Sequence, residues 1–304
     1  VVRIGIFGSG TRGRTALASL TEQVRSAHDA GFGSFWTPQI FGLDALTAYA
    51  VIGHEVPDIT LGTAVVPTFP RHPSMLAQQA LTVSQATGGR LRLGIGLSHK
   101  PVVEQMWGYS FDKPVQHLRE YLDVLLPLLE GKPANVQGQQ YRVNTFTDLV
   151  APRPEVLVAA LGSQMLKLCA ERTDGTLLWM TGPATIATHT VPTLRAAAEA
   201  AGRPMPQVVA ALPMCVTDDV AGARARADQV FAIYGTLPSY RAMMDKEGAA
   251  GPGDLAIVGD EATCRAVLDE LAAAGVTEFG GSEFGTPEET ARTRAFLRSV
   301  QGGA

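Results

Sequence analysis

An eight-stranded parallel barrel ringed by helices is the fold this sequence predicts, and three observations predict it. Strand-like apolar runs alternate with helical stretches along the whole chain. The stretch Ile59–Leu97 fits one strand, one helix and the next strand into about forty residues, a βαβ unit of a sheet buried on both faces. Several helical stretches stop at glycine, at Ala30-Gly31, Glu130-Gly131, Ala201-Gly202 and Ala274-Gly275, as helices closing on a left-handed residue do. Eight such strands with one surplus helix fit a (β/α)8 TIM barrel with insertions in its loops better than an open sheet. The whole of 1–304 reads as one domain of this kind.

Taken in order, a strand at Arg3–Phe7 precedes a helix at Leu20–Ala30, and Ser34–Thr37 precedes a helix at Asp44–Glu55. The apolar run Ile59–Val66 leads into Ser74–Thr87, whose Leu76, Ala80 and Val83 share one helical face. Leu91–Leu97 is the next apolar run. The helix Val115–Glu130 repeats Val115, Leu118, Leu122, Leu125 and Leu129 at 3-4-3-4 spacing, the stripe of a helix laid along a sheet. Val156–Leu161 then pairs with Gln164–Arg172, and Gly175–Met180 with Ala184–Ala201. Val208–Val216 is followed by helices at Val220–Ile233 and Glu261–Ala274, and Glu278–Gly281 by Glu288–Ser299.

Three connections are longer than a barrel needs: Ser98–Pro114, Gly131–Pro154 and Gly235–Asp254. Loops of that length in a compact domain usually cover or bind something. Tyr141–Val143 fits a short strand of a surface hairpin. Gly248–Asp254 is expected to be mobile, because its glycines and alanines offer nothing to anchor.

Composition narrows the function. Charged residues make up 18% and hydrophobic residues 46%, which excludes wholesale disorder. The net charge of -4, with no Lys/Arg block, argues against nucleic acid or an anionic membrane as partner. No apolar stretch approaches the roughly 18 residues of a spanning helix. No cationic n-region opens the sequence, so no secretory leader is expected. Cys169, Cys215 and Cys264 are far apart and odd in number, which favours buried reduced thiols and a cytoplasmic setting.

Ligands of parallel barrels sit beyond the carboxyl ends of the strands, and the candidate site residues lie there. Gly94-Ile95-Gly96-Leu97-Ser98-His99 ends strand four. Its glycines suit backbone packed against a ring or a neighbouring strand, and only superficially resemble a GxGxxG run. His99 is a candidate proton donor or polar ligand contact, with a solvated loop histidine as the alternative of roughly half the weight. Leu161-Gly162-Ser163-Gln164 ends strand five and opens a helix, so its free N–H groups suit an anion, or Ser163 simply caps the helix. Thr181-Gly182-Pro183 after strand six is a second turn of that type, or a plain Pro-N1 helix start. Glu283 is the best acidic candidate at the opposite rim, and Trp107, Tyr109 and Phe111 either form an apolar lid or pack on the following helix. His72, His99 and Glu104 have no metal-ligand spacing, so no metal is expected.

The stretch LGTAVVPTFPRHPSMLAQQALTVSQATGGRLRLGIGLS, followed downstream by VLVAALGSQMLKLCAERTDGTLLWMTGP, resembles the luciferase-like barrel family of flavin and deazaflavin enzymes. The similarity spans nearly the whole chain and is greatest to the actinobacterial branch that uses the deazaflavin coenzyme F-420. The resemblance implies a non-prolyl cis peptide at Ala64–Val65, with Ala64, Val65 and Val66 holding the central ring of the cofactor. It also implies ring contacts from Gly96, Ser98, Trp36 and Gln39, and contacts to the phosphate-bearing tail from Gly162, Ser163 and Gln164 or from Thr181 and Gly182. Trp36 otherwise reads as barrel core, the more frequent outcome for an isolated tryptophan of its size. Relatives often carry an acidic residue or a histidine near the end of strand two; Thr37 and Gln39 stand here, which puts proton transfer from that strand in doubt. His99 or Glu283 would then handle the proton. The implied activity is hydride transfer between the deazaflavin and a small organic substrate. The alternatives are an FMN-dependent monooxygenase and a flavin-binding protein without turnover. The implied partner is a small molecule, with a homodimer as one oligomeric option.

Overall fold

Residues 2–8 and 13–301 are described by the computed structural model. Eight parallel strands close on themselves: β1 (Arg3–Phe7), β2 (Ser34–Thr37), β3 (Thr60–Thr63), β4 (Leu91–Gly96), β5 (Glu155–Ala159), β6 (Gly175–Trp179), β7 (Gln207–Val216) and β8 (Glu278–Glu283). β8 returns to β1 in a register running from Arg3 opposite Glu278 to Ile6 opposite Gly281. The barrel predicted from sequence is therefore the barrel found.

Among the described residues, ten helices of ten residues or more surround it: α1 (Ala16–Asp29), α2 (Ala45–Glu55), α3 (Pro73–Ala86), α4 (Pro114–Leu129), α5 (Ser163–Arg172), α6 (Val191–Ala200), α7 (Val220–Val230), α8 (Pro238–Glu247), α9 (Glu261–Ala273) and α10 (Pro287–Gln301). None of the described helices is long and apolar enough to cross a membrane. The α4 stripe behaves as its spacing requires, with Leu118, Leu122, Leu125 and Leu129 buried. Asp44, Asp219 and Asp260 cap α2, α7 and α9 by accepting backbone N–H groups in the first turn. The four glycines expected to stop helices take positive φ, from 63° at Gly202 to 101° at Gly275. Cys169, Cys215 and Cys264 are buried and unpaired.

Two layers fill the barrel. Phe7, Trp36, Leu157, Leu177, Val209 and Ala211 form an apolar plug. Beneath it, at the amino end of the strands, the buried Glu278 carboxylate accepts from Ser34 Oγ (2.7 Å), Trp36 Nε1 (2.7 Å) and Arg92 (2.6 Å). Above the plug β3 is interrupted. The Ala64–Val65 peptide bond is cis, and pairing resumes at Val66–Pro67 against Ile95 and Gly96 of β4.

The structure departs from the sequence reading in the long connections. Gly235–Asp254, expected as a loop, contains α8. Gly248–Asp254 is tied down rather than loose: Arg241 donates to the Ala250 carbonyl at 2.7 Å, and Gly253 N–H donates to Asp228 at 2.7 Å. The anchors come from side chains outside the segment, which a reading of its own composition misses. Ile257–Gly259 adds a short strand to the end of β7. Gly131–Pro154 holds the surface hairpin expected at Tyr141–Val143, an antiparallel pair of Ala134–Gln137 with Arg142–Thr145. Its turn is fixed by the Glu120 carboxylate, which accepts the N–H groups of Gln139, Gln140 and Tyr141.

Candidate functional site

A cavity of about 640 Å³ opens at the carboxyl ends of β3 to β6. One wall is Ala64 and Val65 from the break in β3, with Gly96 and Ser98 from the end of β4. A Cβ at Gly96 would lie 2.6 Å from Val65 Cγ2, so only glycine lets β4 pass this close to Val65. Ala159, Leu161 and Gly162 from β5 close the side, and Leu177 and Trp179 from β6 the back. Phe111 and the start of α8, Leu237 to Tyr240, form the cover. A hollow of about 710 Å³ lies at the other end of the barrel, lined by Arg3, Arg90, Arg92, Arg153, Glu155 and Glu278 among others. Its arginines are committed to partners: Arg92 to Glu278 and Glu155, Arg153 to Asp174, Arg90 to three backbone carbonyls. The two hollows are of similar size, and the chemistry of a parallel barrel belongs to the carboxyl end.

His99 stands in the wall of the carboxyl-end cavity, its ring 5.6 Å from Tyr240. Burial lowers its pKa from the ordinary 6.5, so the neutral imidazole dominates at neutral pH. Ser98 beside it takes φ 63°, an uncommon backbone state for a residue with a side chain. Gly162 is the first boundary of α5, in an extended conformation, and no side chain caps the helix it opens. Ser163 and Gln164 are exposed in the first turn, outside the cavity wall.

Six more of the positions singled out from the sequence lie outside the wall of this cavity. Trp36 is fully buried in the plug, hydrogen-bonded to Glu278 and stacked under Arg92 at 5.0 Å, because its indole N–H needs an acceptor and finds it at the barrel floor. Gln39 spends its amide oxygen on Ala45 N–H at 3.0 Å, at the start of α2. Val66 turns into the hydrophobic core. Glu283 forms a two-point ion pair with Arg294 of α10, away from the cavity. Thr181 is buried, and the turn at Gly182 is already filled: the Glu247 carboxylate sits where an added Cβ would go and accepts the N–H groups of Ala184 and Thr185. An internal carboxylate thus takes the place sequence reasoning offered to a phosphate.

The family profile of luciferase-like monooxygenases matches residues 2–278. The chain belongs to that family. A Mycobacterium tuberculosis protein named as a coenzyme F-420-dependent oxidoreductase is 32% identical over 171 residues, 51% of this chain and 49% of that protein. The 5,10-methylenetetrahydromethanopterin reductase of Archaeoglobus fulgidus is 29% identical over 157 residues, 51% of this chain and 47% of that one. The matched stretches thus span about half the length of each relative. The structure of the coenzyme F-420-dependent tetrahydromethanopterin reductase of Methanopyrus kandleri superposes with a TM-score of 0.80 at 21% identity, over 99% of this chain and 97% of that one.

In this luciferase-like barrel the sequence reading missed a run of aromatic rings, two of which, Trp179 and Tyr240, line the cavity. Phe7 stacks on Trp179 at 5.1 Å; Trp179 meets Tyr234 edge-on at 5.7 Å; Tyr234 meets Tyr240 at 5.1 Å. Trp179 was readable as the last residue of a barrel strand. Tyr234 and Tyr240 were not, because their segment carried no helical signal strong enough to place it.

Proposed function

We propose that this luciferase-like protein is an oxidoreductase that binds coenzyme F-420 in the carboxyl-end cavity and serves hydride transfer to or from a small organic substrate. One observation carries the reading: a single cavity joins the Ala64, Val65 and Gly96 wall to Gly162 at the uncapped start of α5. A flat ring fits against the first, and the free N–H groups and positive helix end at the second suit an anionic tail. The named activities of the relatives above support the choice of deazaflavin over FMN. The cofactor would supply a hydride carrier that activates oxygen poorly, which favours reduction or dehydrogenation over monooxygenation.

The chain's own residues would do the rest. Backbone at Ala64, Val65 and Gly96 orients the ring face, and Gly162 with the Ser163 and Gln164 N–H groups holds the tail. Phe111, Leu237 and Tyr240 exclude water, which strengthens every polar contact inside. His99 handles the proton, in either direction of the reaction.

The test is a fluorescence titration of the purified protein with coenzyme F-420 and with FMN. Micromolar binding of coenzyme F-420 and poor binding of FMN are expected. Tight FMN binding with oxygen consumption would instead establish a flavin monooxygenase.

A further inference from the structure

We propose that Tyr240, carried by the covering helix α8, is the positioning residue of His99: its ring orients the imidazole and shields it from water, which couples the cover to the proton chemistry. The inference rests on the reading of His99 as the proton-handling group and adds what holds that group in place.

The backbone of His99 is fixed, and its side chain is not. The His99 carbonyl accepts the Val103 N–H at 3.0 Å, at the start of the helical turn Val102–Met106. Among the described residues no hydrogen bond or ion pair holds the imidazole. Its one ring contact there is Tyr240, with 5.6 Å between centroids and 56° between planes. A histidine ring is usually oriented by a hydrogen bond to one of its nitrogens. Here an aromatic neighbour does so instead, which leaves both nitrogens to meet a ligand.

Tyr240 is itself held at two points. Its ring meets Tyr234 edge-on at 5.1 Å, and Tyr234 meets Trp179 of β6 at 5.7 Å. The far end of α8 is fastened through Glu247 to the Ala184 and Thr185 N–H groups. Only Met243 and Met244 of α8 are buried, so these fastenings decide where Tyr240 stands.

Charge does not account for the state of His99. Lys100 and Glu104 on its own segment lie 3.5 Å apart as a pair, and the Lys100 side chain is 64% exposed. On α8, Arg241 and Asp245 pair at 2.8 Å. Burial pushes the Tyr234 and Tyr240 phenols up, so both stay neutral. What lowers the His99 pKa is burial. A cover that removes water makes the imidazolium a stronger acid. A proton taken up while the ring is wet is therefore pressed toward the substrate once Tyr240 stands over it.

The experiment is an NMR titration of the full chain labelled at its histidines, with His99 assigned from the signal missing in His99→Gln. Tyr240→Phe keeps the ring and is expected to leave the His99 midpoint at its wild-type value. Tyr240→Ala admits water and is expected to move it up toward the ordinary 6.5, with the His117 midpoint unmoved. Glu247→Ala, which loosens α8 without touching His99, is expected to move it in the same direction by less. An unmoved midpoint in Tyr240→Ala overturns the positioning role. Equal shifts in Tyr240→Phe and Tyr240→Ala overturn shielding by the ring. An unmoved midpoint in Glu247→Ala overturns the coupling to the cover. The titration needs no coenzyme, so failure of the cofactor reading appears separately, as absence of coenzyme F-420 binding by the wild-type protein.

Discussion

Glu247 accepts a hydrogen bond from the Thr185 backbone N–H at 2.7 Å and another from Ala184 at 3.1 Å. Glu247 is the last residue of α8, and the first residues of α8 cover the cavity. One carboxylate therefore fastens the cover to the turn after β6. Glu247→Ala leaves two helix-end donors without an acceptor, at a cost of about 1–3 kcal/mol. A lower melting temperature and faster proteolytic cleavage within residues 236–251 are expected. Cleavage at the wild-type rate would show that Arg241 and its carbonyl partners hold the cover alone.

Glu278 and Arg92 set a different expectation. Both are buried, at 3% and 7% exposure, and Glu278 also holds Trp36. Glu278→Gln keeps the shape but strips Arg92 of its buried counter-charge, leaving only the half-exposed Glu155. The variant is expected to lose about 3 kcal/mol of stability in denaturant unfolding. Coenzyme affinity should not change, because the network lies at the amino end of the strands. A fall in affinity at unchanged stability would return Trp36 to the cofactor site.

The barrel was legible because its signals are local. Apolar runs, the α4 stripe and glycine stops each depend on residues close in sequence, and strands β1 to β8 lie where those signals put them. The cavity wall at Gly96, Ser98, His99 and Gly162 followed from the same signals, since strand ends fix where a barrel site must be, whereas Ala64 and Val65 were implied only by the family resemblance. What failed needed partners distant in sequence. Nothing around Glu283 announces Arg294 as its mate, nothing around Trp36 announces Glu278, and nothing around Gly182 announces Glu247. The aromatic wall escaped for a related reason. Tyr234 reaches Trp179, and Tyr240 reaches Tyr234, only after the chain folds back over the barrel end.

His99 predicts a pH profile. Its pKa lies below the ordinary 6.5 because burial disfavours the charged form. If the imidazolium gives the proton in reduction, kcat/KM for reduction falls as pH rises through that lowered pKa, and the reverse reaction gains. His99→Ala should lose this limb and about 10²–10⁴ of turnover, with coenzyme affinity kept. A variant retaining the limb would assign it to another group.

His117 predicts a stability profile instead. It is buried, 3.0 Å from Thr68 Oγ1 and stacked on Phe69 at 4.0 Å, and burial drives its pKa down to about 4. The unfolded chain binds a proton near pH 6.5 and the folded one does not until near pH 4. Stability from this group is thus complete above pH 6.5 and is lost as pH falls toward 4, by roughly 2–3 kcal/mol. His117→Gln, which cannot titrate, should flatten that part of the profile in denaturant unfolding at pH 7.5 and 5. Identical slopes for both proteins would place the acid sensitivity elsewhere.

Gly162 and Ser163 test the anion end of the cavity. Gly162 lies in extended backbone, φ -80° and ψ 150°, and a Cβ there meets no atom within 4 Å. Gly162→Val is therefore compatible with the fold, and its melting temperature should match the wild type. Its branched side chain would nevertheless stand in the approach to the first N–H groups of α5, where an anion must come close to the backbone. A helix N-terminus gives a partly exposed anion roughly 0.3–1 kcal/mol, rising to about 2 when geometry is good. Ser163→Ala removes at most one hydroxyl hydrogen bond, worth about 0.5–1.5 kcal/mol. Gly162→Val should thus weaken coenzyme F-420 well beyond Ser163→Ala. The measurement is the dissociation constant of each variant beside its melting temperature. Unchanged affinity in Gly162→Val with normal melting would remove the tail from α5. The turn at Gly182 could not receive it unless Glu247 were first displaced, so Glu247→Ala in the Gly162→Val background would then decide between the two helix ends.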